Sequence, residues 1–207
     1  MPKTVAIVDY GLGNIFSVSK ACHRVGLDPL TTEDPSALLN SDAAILPGVG
    51  AFGDASARLR TRGLDTALCE FAKSGRPLLG ICLGMQLLFS HSEEFGLHPG
   101  LGLLEGSVLR FPSGVKEEKV PQIQWNTLRF PQPSKLFQGL NDPVYMYFLH
   151  SYYVLPDDPR LTVATTQYAG TDYASAVELN NVMAVQFHPE RSGDQGLELL
   201  KNFSRLV

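Results

Sequence analysis

The sequence predicts an α/β fold: an open, mixed, mostly parallel sheet with flanking helices and an antiparallel β extension. Two observations carry this. The first half alternates short apolar runs with helical patterns, which implies right-handed crossovers and a doubly wound parallel sheet. The second half is β-rich, with turn residues between short runs. A third observation bounds the size: 207 residues, without an internal repeat or a long linker, suit one domain spanning residues 1–207.

Taken in order, "TVAIVDY" is an apolar run of the kind that forms a buried parallel strand. The turn "GLGN" leads into a helix through "IFSVSKACHRV", stopped by Gly26. "DAAILPG" is a second strand. A helix starts near Asp54, another runs through "DTALCEFAKSG", and "RPLLGI" is the next strand. Further on, "GSVLRF", "VYMYFLHSYYV", "TVATTQY", "SAVELN" and "NVMAVQF" read as strands, with Asn180-Asn181 as a tight hairpin turn. An amphipathic helix, about Asp194 to Leu206, ends the chain. Phe111 to Lys119, "FPSGVKEEK", is the most loop-like stretch, and its "KEEK" reads as a solvated charge run.

Composition excludes several classes. At 44% hydrophobic and 18% charged, the chain is an ordinary soluble globular protein. A net charge of −4 argues against a nucleic-acid partner. No apolar run reaches membrane-spanning length, and "MPKTVAIVDYG" lacks the apolar core of a signal peptide, so a cytosolic location is expected. The three cysteines, Cys22, Cys69 and Cys82, are odd in number and fit no zinc spacing. With no HExxH or CxxC, neither a disulfide framework nor a metal site is expected. "GLGNIF" imitates a dinucleotide loop but carries Phe16 where the third glycine belongs, so no cofactor is expected.

The chemistry concentrates in "LLGICLGMQLLF". A buried strand runs to Ile81, a helix starts near Leu83, and Cys82 falls at the joint. This is a nucleophile elbow with cysteine in place of serine. The turn strains the nucleophile's backbone, Gly80 and Gly84 let strand and helix approach, and the helix N-terminus favours a thiolate. Of the five histidines, His188 is distinctive: it follows an apolar strand and precedes Pro189, which keeps it extended. In extended chain His188 and Glu190 share a side, so Cys82, His188 and Glu190 can form a triad. "LPGVGAF" follows another strand, and its glycines free backbone N–H groups to face an anion. Val49 and Gly50 are thus one half of a candidate oxyanion hole, with the Leu83 N–H as the other.

Gly80 to Gln86 together with His188-Pro189-Glu190 resembles the class I (triad) glutamine amidotransferases, which have a flavodoxin-like α/β fold. Four more blocks are "DYGLGNI", "PGVGAF", "KVPQIQWN" and "YFLHSYY". They are similar to the branch whose glutaminase subunit serves a (β/α)₈-barrel cyclase in histidine biosynthesis. The resemblance runs from Val5 to about Gly193. It implies that L-glutamine is hydrolysed to glutamate and ammonia, with Cys82 as nucleophile, His188 as proton carrier and Glu190 as its orienter. It implies that Gln86, Glu94, Ser151 and Tyr152 hold the substrate, Glu94 being suited to the α-ammonium. It implies a heterodimer in which Asn14, Trp125, Tyr147 and Arg191 face the cyclase. That partner uses the ammonia to make imidazole glycerol phosphate and an aminoimidazole carboxamide ribotide. It also implies that the "PGVG" segment must rearrange before the oxyanion hole forms. The chain departs from the branch's common "KVPHMGWN" at Gln124, where glycine is usual, and at Arg191, often lysine. Another triad amidotransferase, or a catalytically silent regulatory subunit, are the alternative readings.

Overall fold

The structure, a computed structural model, describes residues 3–112 and 119–207. Its first half runs β1 (Thr4–Val8), α1 (Ile15–Arg24), β2 (Asp28–Thr32), α2 (Pro35–Leu39), β3 (Ala43–Gly48), α3 (Phe52–Thr61), α4 (Leu64–Lys73), β4 (Leu78–Cys82) and α5 (Leu83–Leu87). There follow β5 (Phe89–Ser92), β6 (His98–Pro99), β7 (Leu104–Arg110), β8 (Gln122–Thr127), β9 (Tyr145–His150), β10 (Tyr152–Pro156), β11 (Thr162–Tyr168), β12 (Thr171–Leu179), β13 (Val182–Val185) and α6 (Gly193–Ser204).

The apolar runs are strands covered on both faces. In β1, Val5 and Ile7 enter one core with α1 and α6, while Ala6 and Val8 enter a second core with α3 and α4. That double burial explains why the run does not alternate with polar residues. The main sheet has the order β2-β1-β3-β4-β13-β12-β10-β7-β5-β6, with β11 beside β12. β2, β1, β3, β4 and β13 pair in parallel. The sheet turns antiparallel at β12, through the two-residue turn Asn180-Asn181, where Asn180 has φ 56°. The antiparallel extension expected from the second half is therefore part of this same sheet.

Three expectations change. β2 and α2 have no counterpart in the sequence reading, because β2, "DPLTT", is a largely exposed edge strand without an apolar run. An edge position also explains how a strand carries Pro29. The run "VYMYFLHSYYV" is two strands rather than one. β9 pairs with β8 in a separate two-stranded sheet, and β10 joins the main sheet, with the break at Ser151. Both pieces are apolar, so hydrophobicity alone does not mark the break. Of the expected loop from Phe111 to Lys119, residues 113–118, and with them most of "KEEK", lie outside the described residues. Phe111 is core, 2% exposed and ringed by His150, Tyr153, Tyr168 and Tyr173.

The functional end of the fold is set by register. Gly48, last in β3, pairs with Cys82, last in β4, and on the other side Val185 of β13 pairs with Ile81. The carboxyl ends of three neighbouring parallel strands thus open on one place, where open α/β sheets bind ligands. A Cβ at Gly84 would collide with the Leu46 carbonyl oxygen, whereas one at Gly26, with φ +84°, would meet nothing within 4 Å. Gly84→Ala is therefore expected to cost about 3 kcal/mol or more in urea unfolding. Gly26→Ala should cost only the strain of a left-handed residue, about 1–2 kcal/mol. Equal losses would show that β3 and α5 can part without penalty.

Candidate active site

Cys82 stands where β4 gives way to α5, with φ 56° and ψ −111°. A non-glycine residue in this region carries about 1–3 kcal/mol of strain that the surrounding packing must hold. The clamp is visible in the glycines. Gly84 lies against the Leu46 carbonyl of β3, and a Cβ at Gly80 would come within 3.0 Å of the Gly84 oxygen and Met85 nitrogen. Cys82 is 5% exposed. Its thiol donates to the Leu149 carbonyl at 3.8 Å, and its sulfur accepts from Gln186 Nε2 at 3.7 Å.

His188 and Glu190 meet, though not in extended chain: Pro189–Arg191 form one 3-10 turn. His188 Nδ1 lies 3.0 Å from Glu190 Oε1, with both side chains almost wholly buried. That contact occupies Nδ1 and leaves Nε2 toward Cys82, without a conventional hydrogen-bond partner among the described residues. Burial works against a charge on His188, but Cys82 and Glu190 outweigh it and hold its pKa well above the usual histidine range. The imidazolium form is thus favoured when Cys82 carries negative charge. The turn is clamped by β9. The His188 N–H donates to the Tyr147 carbonyl at 2.9 Å, and the Tyr147 N–H donates to Ser192 Oγ at 3.0 Å. The Ser192 hydroxyl in turn donates to the His188 carbonyl at 2.6 Å.

A pocket of about 240 Å³ opens over the cysteine, lined by Val49, Gly50, Leu83, Gln86, Glu94, Ser151 and Tyr152. All the sequence-predicted oxyanion and substrate residues therefore face one cavity with Cys82. Larger hollows of about 560, 680 and 410 Å³ do not include Cys82, although Glu190 lines the first. Tyr10 braces the candidate oxyanion turn by donating its hydroxyl to the Pro47 carbonyl at 3.0 Å, and Gly50 has φ +100°. One Glu94 oxygen accepts from the Phe52 N–H at 2.6 Å, at the start of α3. Gln86 is not simply turned to the pocket: its Nε2 donates to the Tyr152 carbonyl at 3.0 Å and to Gln186 Oε1 at 3.1 Å. Its carbonyl oxygen is the part left for a ligand. Among the described residues no group of three or more His, Cys, Asp or Glu is placed to hold a metal ion.

Trp125, Tyr147 and Arg191 come together on the surface beside the triad turn. The Trp125 and Tyr147 rings meet edge-on at 6.1 Å, and the Arg191 guanidinium lies 4.9 Å over Tyr147. Trp125 is 51% exposed, so it is not core. Asn14 precedes α1 and makes no ring or hydrogen-bond contact with that trio; its side chain does not cap the helix. Gln124 is an exposed residue of β8 opposite Phe148, where a side chain in place of glycine meets no obstacle.

Two buried polar residues at the site escaped the sequence reading. Gln186, fully buried, touches both Cys82 and Gln86. Its signal was a lone amide at the end of the apolar "NVMAVQF". His150 also lines the pocket, but both ring nitrogens are engaged. Nδ1 lies 2.8 Å from the Tyr152 carbonyl, which can only accept, so Nδ1 carries the proton; Nε2 lies 3.2 Å from the Tyr173 hydroxyl. Burial pushes its pKa down to about 3, against the Tyr152 hydrogen bond and with the help of His188. His150 is therefore neutral and structural, and His188 is the histidine free to move a proton. Cys22 is wholly buried, and burial followed by the charge of Glu190 pushes its pKa up to about 12, which leaves it unreactive.

Comparison with known proteins gives the family. The glutamine amidotransferase class I family matches residues 6–206. Among curated proteins, the chain is 49% identical to the imidazole glycerol phosphate synthase subunit HisH of Moorella thermoacetica, over 99% of this chain and 96% of that protein. It is 47% identical to the subunit of the same name from Chlorobaculum tepidum, over 97% and 98%. Among solved structures it is similar to PurLQS from Thermotoga maritima, with TM-score 0.77, 21% identity and 98% of both chains covered. A crystal structure of glutamine amidotransferase gives TM-score 0.76 at 21% identity, over 97% of both chains. At those identities the structures speak to the fold alone. The chain belongs to the class I glutamine amidotransferase family. Within it, the chain belongs with the HisH subunits of imidazole glycerol phosphate synthase.

The neutral state of His150 has a consequence for stability. Its folded pKa is depressed, so its contribution is complete above the unfolded value of 6.5 and is lost as pH falls toward 3. At pH 5 the loss attributable to His150 is about 2 kcal/mol. Urea unfolding of the wild type and His150→Asn at pH 7.5 and pH 5 should give a smaller drop in the variant. Equal drops would mean that His150 titrates normally in the fold.

Proposed function

We propose that this chain is a glutaminase that hydrolyses L-glutamine to glutamate and ammonia through Cys82, His188 and Glu190. The observation that carries the reading is His188 between two partners, Cys82 held on a strained elbow on one side and Glu190 on Nδ1 on the other. Cys82 gives up its proton to His188 and attacks the side-chain amide carbon. The N–H groups of Leu83 and of the Val49-Gly50 turn receive the oxyanion, each worth about 10²–10³ in rate. His188 then delivers the proton to the amide nitrogen, the C–N bond breaks and ammonia leaves, with the acyl group left on Cys82 as a γ-glutamyl thioester. Water, deprotonated by His188, opens the thioester, releasing glutamate and restoring the thiol. Glu190 keeps Nδ1 protonated and stabilises the imidazolium through both steps. The second Glu94 oxygen and the Gln86 carbonyl serve the substrate's α-ammonium and polar groups, beside the backbone of Ser151 and Tyr152. No cofactor takes part.

The partner is a (β/α)₈-barrel cyclase, joined to this chain as a heterodimer. Ammonia passes to it for synthesis of imidazole glycerol phosphate and aminoimidazole carboxamide ribotide in histidine biosynthesis. The relatives' shared name supports a subunit of a synthase. The exposed trio Trp125, Tyr147 and Arg191 has the residue types that most often anchor interfaces, and Asn14 is assigned to the same face. The complex is cytosolic; no helix among the described residues is long and apolar enough to cross a membrane.

Cys82→Ala should abolish glutamine-dependent synthesis and leave ammonia-dependent synthesis by the complex intact, as read by product formation with either nitrogen source. Loss of both would point to a broken interface. Glutaminase activity of the chain alone should be low and rise when the cyclase holds its nucleotide ligand. Equal rates with and without it would remove the need for a rearranging Val49-Gly50 turn. An electrophilic glutamine analogue should label Cys82 in the complex; an unlabelled Cys82 would favour a silent regulatory subunit. Trp125→Ala should weaken the cyclase complex by about 2 kcal/mol, a roughly 30-fold rise in Kd by titration calorimetry.

A further inference from the structure

The last residue before the triad turn that faces the nucleophile is an amide with no conventional place in a core. β13 is entirely buried and apolar, and Gln186 follows it directly, wholly inaccessible to solvent. Continuing the parallel register of β13 and β4 by one residue sets Gln186 beside Cys82. A buried amide is costly unless its polar atoms are satisfied. Here the partners are all functional: Nε2 donates to Cys82 Sγ at 3.7 Å, and Oε1 accepts from Gln86 Nε2 at 3.1 Å. The backbone N–H, which donates to Ser175 at 2.9 Å, already fixes the main chain without help from the side chain.

We propose that Gln186 is a positioning residue for the reaction: its amide N–H holds the Cys82 sulfur as a thiolate, while its carbonyl fixes the Gln86 side chain in the pocket. The two contacts on the sulfur behave differently once the proton leaves. The Leu149 carbonyl can only accept, so its 3.8 Å contact exists for the thiol and turns repulsive for the thiolate. The Gln186 contact strengthens, because a donor to a charged acceptor is roughly twice as strong as one to a neutral group. Gln186 supplies a side-chain N–H to that sulfur that takes no part in proton transfer, unlike His188, whose ring also interacts with Cys82. Through Oε1 the same amide pins one Gln86 N–H, while Tyr152 takes the other, so the Gln86 carbonyl is turned to the ligand. A single side chain thereby ties nucleophile charge to substrate seating. The inference rests on Cys82 being the nucleophile.

The test compares Gln186→Met, which keeps the bulk and loses both polar atoms, with Gln186→Glu, which keeps an acceptor for Gln86 and loses the donor. Each is prepared as the full chain with the cyclase, and ammonia-dependent synthesis verifies that the complex is intact. The pH midpoint of Cys82 alkylation by iodoacetamide should rise by about one unit in both variants. kcat for glutamine should fall about ten- to hundred-fold in both, the size expected for one charge-assisted hydrogen bond. KM should rise markedly only in Gln186→Met. An intact complex with an unmoved alkylation midpoint overturns the proposal, since a purely packing role predicts lower stability and no midpoint change. If neither variant forms the complex, the wild type decides: the Gln186 side-chain ¹⁵N signal must move as Cys82 titrates, and a signal that stays put overturns the proposal. Alkylation needs no glutamine turnover, so failure here is distinct from failure of the glutaminase reading.

Discussion

β4 lies between β3 and β13 in parallel pairing, and its last residue is Cys82. That register brings together Gly48, where the candidate oxyanion turn begins, the nucleophile, and the segment from Gln186 to Glu190. The crossing is close enough that Gly84 touches the Leu46 carbonyl, so α5 cannot slide away from the sheet. The positive φ of Cys82 persists because these contacts leave it no alternative. Strain at one residue is therefore held by hydrogen bonding and packing spread across three strands.

The electrostatics of the site are divided between two buried histidines. His150 has both nitrogens engaged and is held neutral by burial. His188 is equally buried, yet its interactions with Cys82 and Glu190 on its two sides outweigh burial and favour the imidazolium. Burial alone would neutralise both; what separates them is the company each keeps. The same logic applies to the cysteines, since Cys22 is buried and the charge of nearby Glu190 adds to that burial in disfavouring its thiolate.

β9 connects the surface to the triad. Tyr147 presents its ring to Trp125 and Arg191, while its backbone exchanges hydrogen bonds with His188 and Ser192. A molecule that settles on that trio would press on the backbone that sets the His188 ring. The route is short and passes through covalent chain and two hydrogen bonds, so it requires no diffuse network.

The residues by themselves determined the buried strands of the parallel half, the turn at Cys82 between strand and helix, and the neighbourhood of His188 and Glu190. Each is a local signal: an apolar run of strand length, glycines two residues either side of a cysteine, a histidine ahead of proline. The tertiary structure decided what local pattern does not carry. β2 lies on an exposed edge and has no apolar run; β9 and β10 have the same composition but belong to different sheets. His188 and Glu190 meet through a 3-10 turn, not in extended chain. Gln186 and His150 acquire meaning only from partners distant in the chain, up to 104 residues away, with Cys82, Gln86 and Tyr173 among them. A buried polar side chain is defined by what it bonds to, and those bonds exist only once distant strands are in register.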